Sequence, residues 1–405
     1  MTQPNGAQAE IYLPSGFSFS SAAAGIKPSG RPDLALVECA AGTTAAAMFT
    51  TNRAAAAPVL VGREALGASR GLIRALVVNS GNANCATGAQ GLRDCRRICR
   101  EVSHGLGAQL NQVLPSSTGI IGSPLPREKI LARISGLIAG QQSTVAAARR
   151  FAEAIMTTDK RPKLVSAEFA IGGRQARLLG IAKGSGMIHP QLATMLVYLF
   201  TDIAASPAEL KRLLISVCDE TFHCISVDGD TSTNDTVLLM ASGRSNARLR
   251  NQRASGVFRR VLSKLCGELA EKIVRDGEGV EHMIRLSIAG AKNRDEALQV
   301  ARTIAHSPLV KTAWAGADPN WGRILAAVGR SGVPVSADDI SIFIGQQKVC
   351  DRGHAIPFDE SAAHRHLSQP TCEVRVYLGR GRARLRFLTT DLTSEYVRIN
   401  ADYST

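Results

Sequence analysis

The stretch KGSGMIHPQLATMLVYLFTD, residues 183–202, places Thr194 where a glycine-rich loop meets an unbroken apolar run. A hydroxyl is a poor nucleophile unless a base stands beside it. One solution makes the nucleophile the first residue of a chain. Its own α-amino group, with an ordinary pKa of about 7.7–8.0, then lies next to its Oγ. To reach that state from an internal position, Thr194 Oγ must attack the carbonyl of Ala193. The resulting ester is then hydrolysed by water. The attack needs a crowded peptide bond, a small preceding residue and donors for the oxyanion. Flexible glycines, Pro190 and Ala193 precede the threonine here. Alone, the same pattern describes a β-branched residue opening a strand, which is the commoner use of it.

Other chemistry-bearing patterns fail on spacing. GRILAAVGRSG, residues 322–332, lacks both the phosphate-loop spacing and its lysine. VDGDTSTND, residues 227–235, alternates aspartates as a calcium loop does. At the twelfth loop position, counting Asp228 as the first, stands Leu239, where a bidentate Glu is required. Nine cysteines form no CxxC pair, and eight histidines form no HExxH, so no zinc set emerges. Small buried thiols in a reducing compartment are the expectation.

The elements that must position Thr194 follow from periodicity. LALVECAAGTTAAAMFTTN and IRALVVNSGNANCATGAQG read as buried strands ending in small polar loops. GLRDCRRICREVSHGLG, REKILARISGLIAG, STVAAARRFAEAIMTTD, SPAELKRLLISVCDETF and GVFRRVLSKLCGELAEKIVRDGEG read as helices. QVLPSSTGIIGSPLP reads as a strand, a Ser/Thr/Gly turn and a proline-marked loop, and RQARLLGIAKGSG as a strand entering the threonine motif. ATMLVYLFTDIA, the end of VDGDTSTNDTVLLMASG, and HMIRLSIAGA are further strands. NRDEALQVARTIAHSPLVKTAWAG should hold a helix and a strand, and the remainder should be mostly β. Strands that adjoin directly, mixed with alternating helices, favour layered α+β over a doubly wound sheet.

The chain has 405 residues, 45% of them hydrophobic and only 4% aromatic, so it can bury large cores but offers little base-stacking surface. Its net charge of +14 is lopsided: residues 1–193 carry 21 Lys and Arg against 10 Asp and Glu. The densest basic run, RDCRRICR, has helical spacing and reads as a solvated helix face rather than a nucleic-acid footprint. The apolar run LATMLVYLF spans only nine residues, too short for a membrane, and MTQPNGAQAEIYLPSG, with no basic start or apolar core, is not expected to be a signal peptide. A soluble, cytoplasmic protein is expected.

Ten ordered blocks carry a more specific signal. KGSGMI.P..ATML resembles the self-cleavage motif of the ornithine acetyltransferases, the bifunctional glutamate N-acetyltransferases of arginine biosynthesis. FTTNRAAAAPV, ALVVNSGNANCATG, SSTGIIGSPLP, IMTTDKRPK, SVDGDTSTNDTVLL, RDGEG, SPLVKTAWAGADPNWGRILAAVGRSG, PFDE and DLTSEYVRINADYST resemble that family's other blocks, in its order, from about residue 10 to the end. The resemblance implies a four-layer αββα-like sandwich of the self-processing DmpA/ornithine acetyltransferase type, with a further C-terminal α/β lobe. It implies cleavage between Ala193 and Thr194 into an α chain (1–193) and a β chain (194–405) that stay together as α2β2 or a larger oligomer. Thr194 becomes the nucleophile, and Thr118 with Gly119 the oxyanion donors. Thr157, Lys183, Glu278, Asn400 and Thr405, with Thr194, become substrate ligands. Lys183 suits an α-carboxylate and Glu278 the ammonium of ornithine. Asp230 and Asn320, also in family blocks, are expected to be structural. The implied reaction moves acetyl from N2-acetylornithine to glutamate with no metal or organic cofactor, acetyl-CoA being left open as a second donor. A same-fold aminopeptidase, a secondary-metabolism acetyltransferase and an uncleaved binding protein are the rivals. The chain departs from the family pattern at His189, Gln191 and Leu192, all within five residues of the scissile bond.

Overall fold

The computed structural model describes residues 10–188 and 195–402. Two β-sheets stack face to face. In the first, β1 (Phe17–Ala22), β2 (Leu34–Cys39), β4 (Ala75–Asn82) and β5 (Val113–Ile120) lie side by side in that order. The second has the order β3 (Thr44–Phe49), β9 (Thr236–Ala241), β8 (Leu196–Thr201), β7 (Arg174–Lys183) and β6 (Lys163–Ile171). Each inner strand is apolar on both faces, with alternate residues serving different cores. On β8, Leu196, Tyr198 and Phe200 enter the core between the sheets, while Val197 and Leu199 point outward under helices. On β2, Ala35 and Val37 face the second sheet, and Leu34 and Leu36 face the helices of the first. Phe200 closes the centre, edge-on to Phe17 and Phe19 with ring centroids 5.2 Å apart in both pairs.

Helices complete the outer layers. Over the first sheet lie α2 (Gly88–Gly105) and α3 (Arg127–Ala139); over the second lie α5 (Pro207–Glu220) and α6 (Gln252–Arg275). The expected αββα layering is therefore present. On α2, Cys95, Ile98, Cys99 and Val102 are buried while Arg93, Arg96, Arg97 and Arg100 are exposed, so the basic run is a solvated face. Ser206 and Glu209 form a capping box at the start of α5, with Pro207 at its first position. α1 (Ala57–Ala68) packs on β5, and α4 (Val145–Ala154) plugs the edge of the inter-sheet core with Phe151.

The C-terminal lobe is a third sheet. Its order is β13 (His354–Ala355), β12 (Gln347–Asp351), β11 (Ser341–Ile344), β14 (Thr371–Tyr377), β10 (Met283–Ala291) and β15 (Ala383–Thr390). One face packs on α7 (Arg294–Ala305), α8 (Pro308–Ala315), α9 (Trp321–Gly329) and α10 (Glu360–Leu367). Asn320 accepts the Arg323 N–H as the N-cap of α9, the structural role expected of it. The final helix, α11 (Ser394–Asp402), returns to the sandwich, where the Thr393 hydroxyl donates to the Gly279 carbonyl at 2.6 Å.

Three expectations need correction. SPLVKTAWAG is the helix α8, not a strand: Pro308 sits at its first turn, and Val310, Ala313 and Trp314 recur at helical spacing on its buried side. The Ser/Thr/Gly turn of SSTGIIG is the end of β5 itself. The C-terminal part, expected to be mostly β, also contains α10 and α11. All nine cysteines are free and buried, as expected, and no described helix is long and apolar enough to cross a membrane.

Phe200→Ala should remove a fully buried ring from the inter-sheet core and destabilise the protein by about 3–5 kcal/mol. Urea titration should show a lower midpoint with an unchanged slope; an unchanged midpoint contradicts the assigned core.

Candidate active site

Strand ends converge at one edge of the sandwich. β4 and β5 are parallel neighbours and end side by side, with Gly81 opposite Gly119. β7 finishes where β8 begins, with Lys183 opposite Leu196, and β9 enters alongside, with Thr236 opposite Leu196. Lys183 on the second sheet crosses to the first, where its Nζ donates to Thr118 Oγ1 at 3.1 Å. Asn234 makes a second bridge, its Nδ2 donating to the carbonyls of Ala83 (2.7 Å) and Ser117 (2.9 Å). Gly119 has φ +133°, and a Cβ there would run into the Gly81 and Asn82 backbone. Only glycine lets β4 and β5 close at this bulge.

The loop 184–186 is the hub of the remaining contacts. Gly184 N–H donates to Asp159 Oδ1 (2.7 Å), and Thr157 N–H to Asp159 Oδ2 (3.1 Å). The hydroxyls of Thr158 and Ser185 are 2.6 Å apart. Glu278 N–H donates to the Ser185 carbonyl (3.0 Å), and Asn400 Nδ2 donates to Glu278 Oε2 (3.0 Å). The Glu278 carboxylate lies so close over Gly186 that a side chain there would collide with it.

Charge is concentrated and dry. Lys183 and Lys163 are each only 2% exposed. Lys163 Nζ donates to Asp159 Oδ1 at 2.6 Å and to Asp276 Oδ2 at 2.5 Å. Burial alone would raise the Asp159 carboxyl, but the Lys183 and Lys163 ammoniums hold it down at about 2. Burial lowers the proton affinity of Lys183, an effect opposed by Asp159.

The VDGDTSTND loop grips both flanks of the threonine motif. Asp228 accepts the N–H groups of Met187 (2.6 Å) and Ile188 (2.9 Å). Met187 sits at φ +51°, a strained position for a non-glycine residue. Asp235 Oδ1 accepts the Met195 N–H at 2.9 Å. Burial raises the Asp235 carboxyl well above the usual range, and its Oδ2 has no hydrogen-bond partner among the described residues. The nearby Thr50 hydroxyl spends its proton on the Ser232 carbonyl at 2.7 Å.

Of the residues singled out in the sequence, Thr118, Gly119, Thr157, Lys183, Glu278 and Asn400 come together around this loop. Ala193, Thr194 and Thr405, with His189, Gln191 and Leu192, lie outside the described residues. Asp159, Lys163, Asp228, Asn234, Asp235 and Asp276 went unassigned. Asp159 lies inside the MTTDK block, and three of the others in or beside VDGDTSTND, but no spacing rule marks an aspartate that pins distant backbone. Asp230, by contrast, is exposed, and its N–H donates to Asp228 Oδ1 at 3.2 Å. Among the described residues the one His/acid cluster that could hold a metal is Glu281, His282 and Asp391. There Asp391 accepts the N–H groups of both neighbours, a clasp at the entry to β10.

Fold and site together define an αββα sandwich with a buried, charge-balanced polar centre at its strand ends. The ArgJ family matches residues 18–405, and the chain belongs to that family. It is 46% identical over 396 residues to the arginine biosynthesis bifunctional protein ArgJ of Methylococcus capsulatus, covering 96% of this chain and 95% of that one. It is 43% identical over 394 residues to the protein of the same name from Neisseria meningitidis serogroup B, covering 96% and 95%. The crystal structure of the same-named Bacillus halodurans protein is 40% identical, with a TM-score of 0.48 over 50% of this chain and 95% of that one.

The depressed Asp159 carboxyl makes a pH-dependent prediction. A folded pKa below the ordinary value of 3.8 stabilises the fold above that pH and loses the effect as pH falls toward 2. The wild type should lose about 2 kcal/mol across that window beyond what Asp159→Asn loses, read from urea melts at stepped pH. Equal acid slopes for both proteins contradict the assignment. At neutral pH the substitution itself should cost about 3–5 kcal/mol, because it strips a buried lysine of its partner.

Proposed function

We propose that this protein carries acetyl from N2-acetylornithine to glutamate through an ester on Thr194. Self-cleavage after Ala193 frees the Thr194 amine, which takes the hydroxyl proton as Oγ attacks the acetyl carbonyl. Thr118 Oγ–H and the Gly119 N–H donate to the oxyanion; the C–N bond then breaks, and ornithine leaves with the proton. The glutamate amine next attacks the ester, giving N-acetylglutamate and restoring the Thr194 hydroxyl. Neither half-reaction calls for a metal or an organic cofactor, because the acyl group rides on the enzyme. Thr157, Lys183, Glu278, Asn400 and Thr405 make up the ligand set. The observation that carries this reading is Thr118: its Oγ accepts from Lys183, and its own proton has no acceptor among the described residues. A hydroxyl held that way is ready to donate.

The sheet order supports a processed chain that holds together. β3, β7 and β6 belong to residues 1–193 and β9 and β8 to 194–405, so one five-stranded sheet interleaves both products. Such chains separate only by unfolding, and we expect α2β2 or a larger assembly in the cytoplasm. The relatives' name, bifunctional, favours a second reading in which acetyl-CoA also loads Thr194.

Thr194→Ala should run as one uncut chain on a denaturing gel and transfer no acetyl between N2-acetylornithine and glutamate. Two half-length bands, or retained transfer, would remove the mechanism. Asp228→Asn should slow the appearance of the two bands, because it loosens the strained Met187–Ile188 flank. Processing at the wild-type rate would clear Asp228 of that role.

A further inference from the structure

One face of the C-terminal sheet is packed under α7, α8, α9 and α10; the other carries a row of cations without counter-charge. At one end of that second face α6 comes close, and its Glu271 pairs with Arg285 at 3.1 Å. Beyond that end the central strand β10 presents only Ser287 and Ala289. Arg375 and Tyr377 of β14 flank them on one side, Arg386 and Arg384 of β15 on the other. Small residues between long ones leave a trough of about 460 Å³, and no carboxylate lines it. We propose that this trough binds a nucleoside phosphate, with the phosphates among the three arginines and the base on the Tyr377 ring. The proposal is independent of the acetyl-transfer reading above.

Charge argues for the phosphates. The neighbouring cations have acids of their own: Lys348 pairs with Asp351 and Arg285 with Glu271. Arg375, Arg384 and Arg386 form no ion pair among the described residues. Arg375 is already oriented, lying 4.8 Å over the Phe343 ring and donating to the Gly345 carbonyl at 3.0 Å. Arg375 and Arg386 both stand opposite Ser287, one strand to either side of it. Strands lie about 4.8 Å apart, so the two Cα atoms are about 10 Å apart, and Arg384 follows about 6–7 Å along β15. One anion seated over Ser287 is within reach of all three side chains. Planar guanidiniums fork onto phosphate oxygens in pairs, which suits such a cluster.

The tyrosine argues for the organic half. β10 bulges between Ala289 and Ala291, and Gly290 in the bulge has φ +72°. A Cβ there would stand 2.7 Å from Tyr377 Cε2, so only glycine lets the ring pack against the backbone. Supported on that side, Tyr377 is nevertheless 47% exposed. A supported, open ring beside cations is a stacking platform for a base. One ring stacks one base. A mononucleotide therefore fits, whereas a nucleic-acid strand needs successive platforms.

The test titrates the full-length protein calorimetrically with ADP, coenzyme A and pyrophosphate at low ionic strength. ADP should saturate one site per chain and weaken as salt rises. The double variant Arg384→Ser, Arg386→Ser should weaken ADP and pyrophosphate alike, by about tenfold for each guanidinium lost. Tyr377→Ser should weaken ADP about tenfold and leave pyrophosphate within error. Both variants should keep the wild-type urea midpoint, because the altered side chains lie on an open face. Coenzyme A contains the same nucleoside phosphates as ADP. Tighter binding than ADP names the coenzyme as their source, and equal or weaker binding names free nucleotides. No saturation by ADP or coenzyme A overturns the proposal. So does ADP affinity that survives the double variant, or a Tyr377→Ser variant that weakens pyrophosphate as much as ADP. Should the double variant fail to fold, Arg386→Gln alone should still weaken ADP about tenfold, and unchanged affinity sinks the idea equally.

Discussion

A lysine ammonium removed from water is costly, and the centre of this protein is arranged around keeping two of them there. Lys163 and Lys183 are held by Asp159 and Asp276, with further attraction on Lys183 from Glu278 and Asp235. Breaking such a buried set strands a charge and costs several kcal/mol, so its members must stay together. The rest of the site inherits that rigidity. Thr118 is fixed by Lys183, the glycine loop by Asp159, and the last helix by the contact of Asn400 with Glu278.

The two sheets explain how distant residues meet. Lys183 ends a strand of one sheet and Thr118 ends a strand of the other, so their hydrogen bond spans the sandwich at its open edge. Asn234 adds a second tie across the same gap. The loop from Asp228 to Asp235 holds the chain on both sides of the Ala193–Thr194 bond, at Met187–Ile188 and at Met195.

Much of this was legible in the sequence. Near-continuous apolar runs in LALVEC and LVYLFT mark strands buried on both faces, and the Ser-Pro-x-Glu start of α5 marks its cap. The same Ser-Pro signal at Ser307–Pro308 was overridden by the apolar content of LVKTAWA, and a helix was read as a strand. β1 and β6 escaped notice, β6 because its outer half alternates only weakly in burial. The ordered blocks brought out Thr118, Lys183 and Glu278. The aspartates were harder: an Asp in a polar loop reads as solvated until tertiary structure buries it. Asp235 is fully buried and Asp159 nearly so. In the rejected calcium pattern, Asp228 and Asp235 accept backbone N–H groups and so clamp the chain, while Asp230 stays exposed.

The account stands on an acyl group passing through the residue that follows Ala193. The most direct measurement incubates the purified protein with N2-acetylornithine in the absence of glutamate and maps the protein by mass spectrometry. The account predicts one added acetyl group on the peptide that begins at Thr194, released when glutamate is supplied. Ornithine release with that peptide unmodified, or acetyl found on another residue, would contradict it.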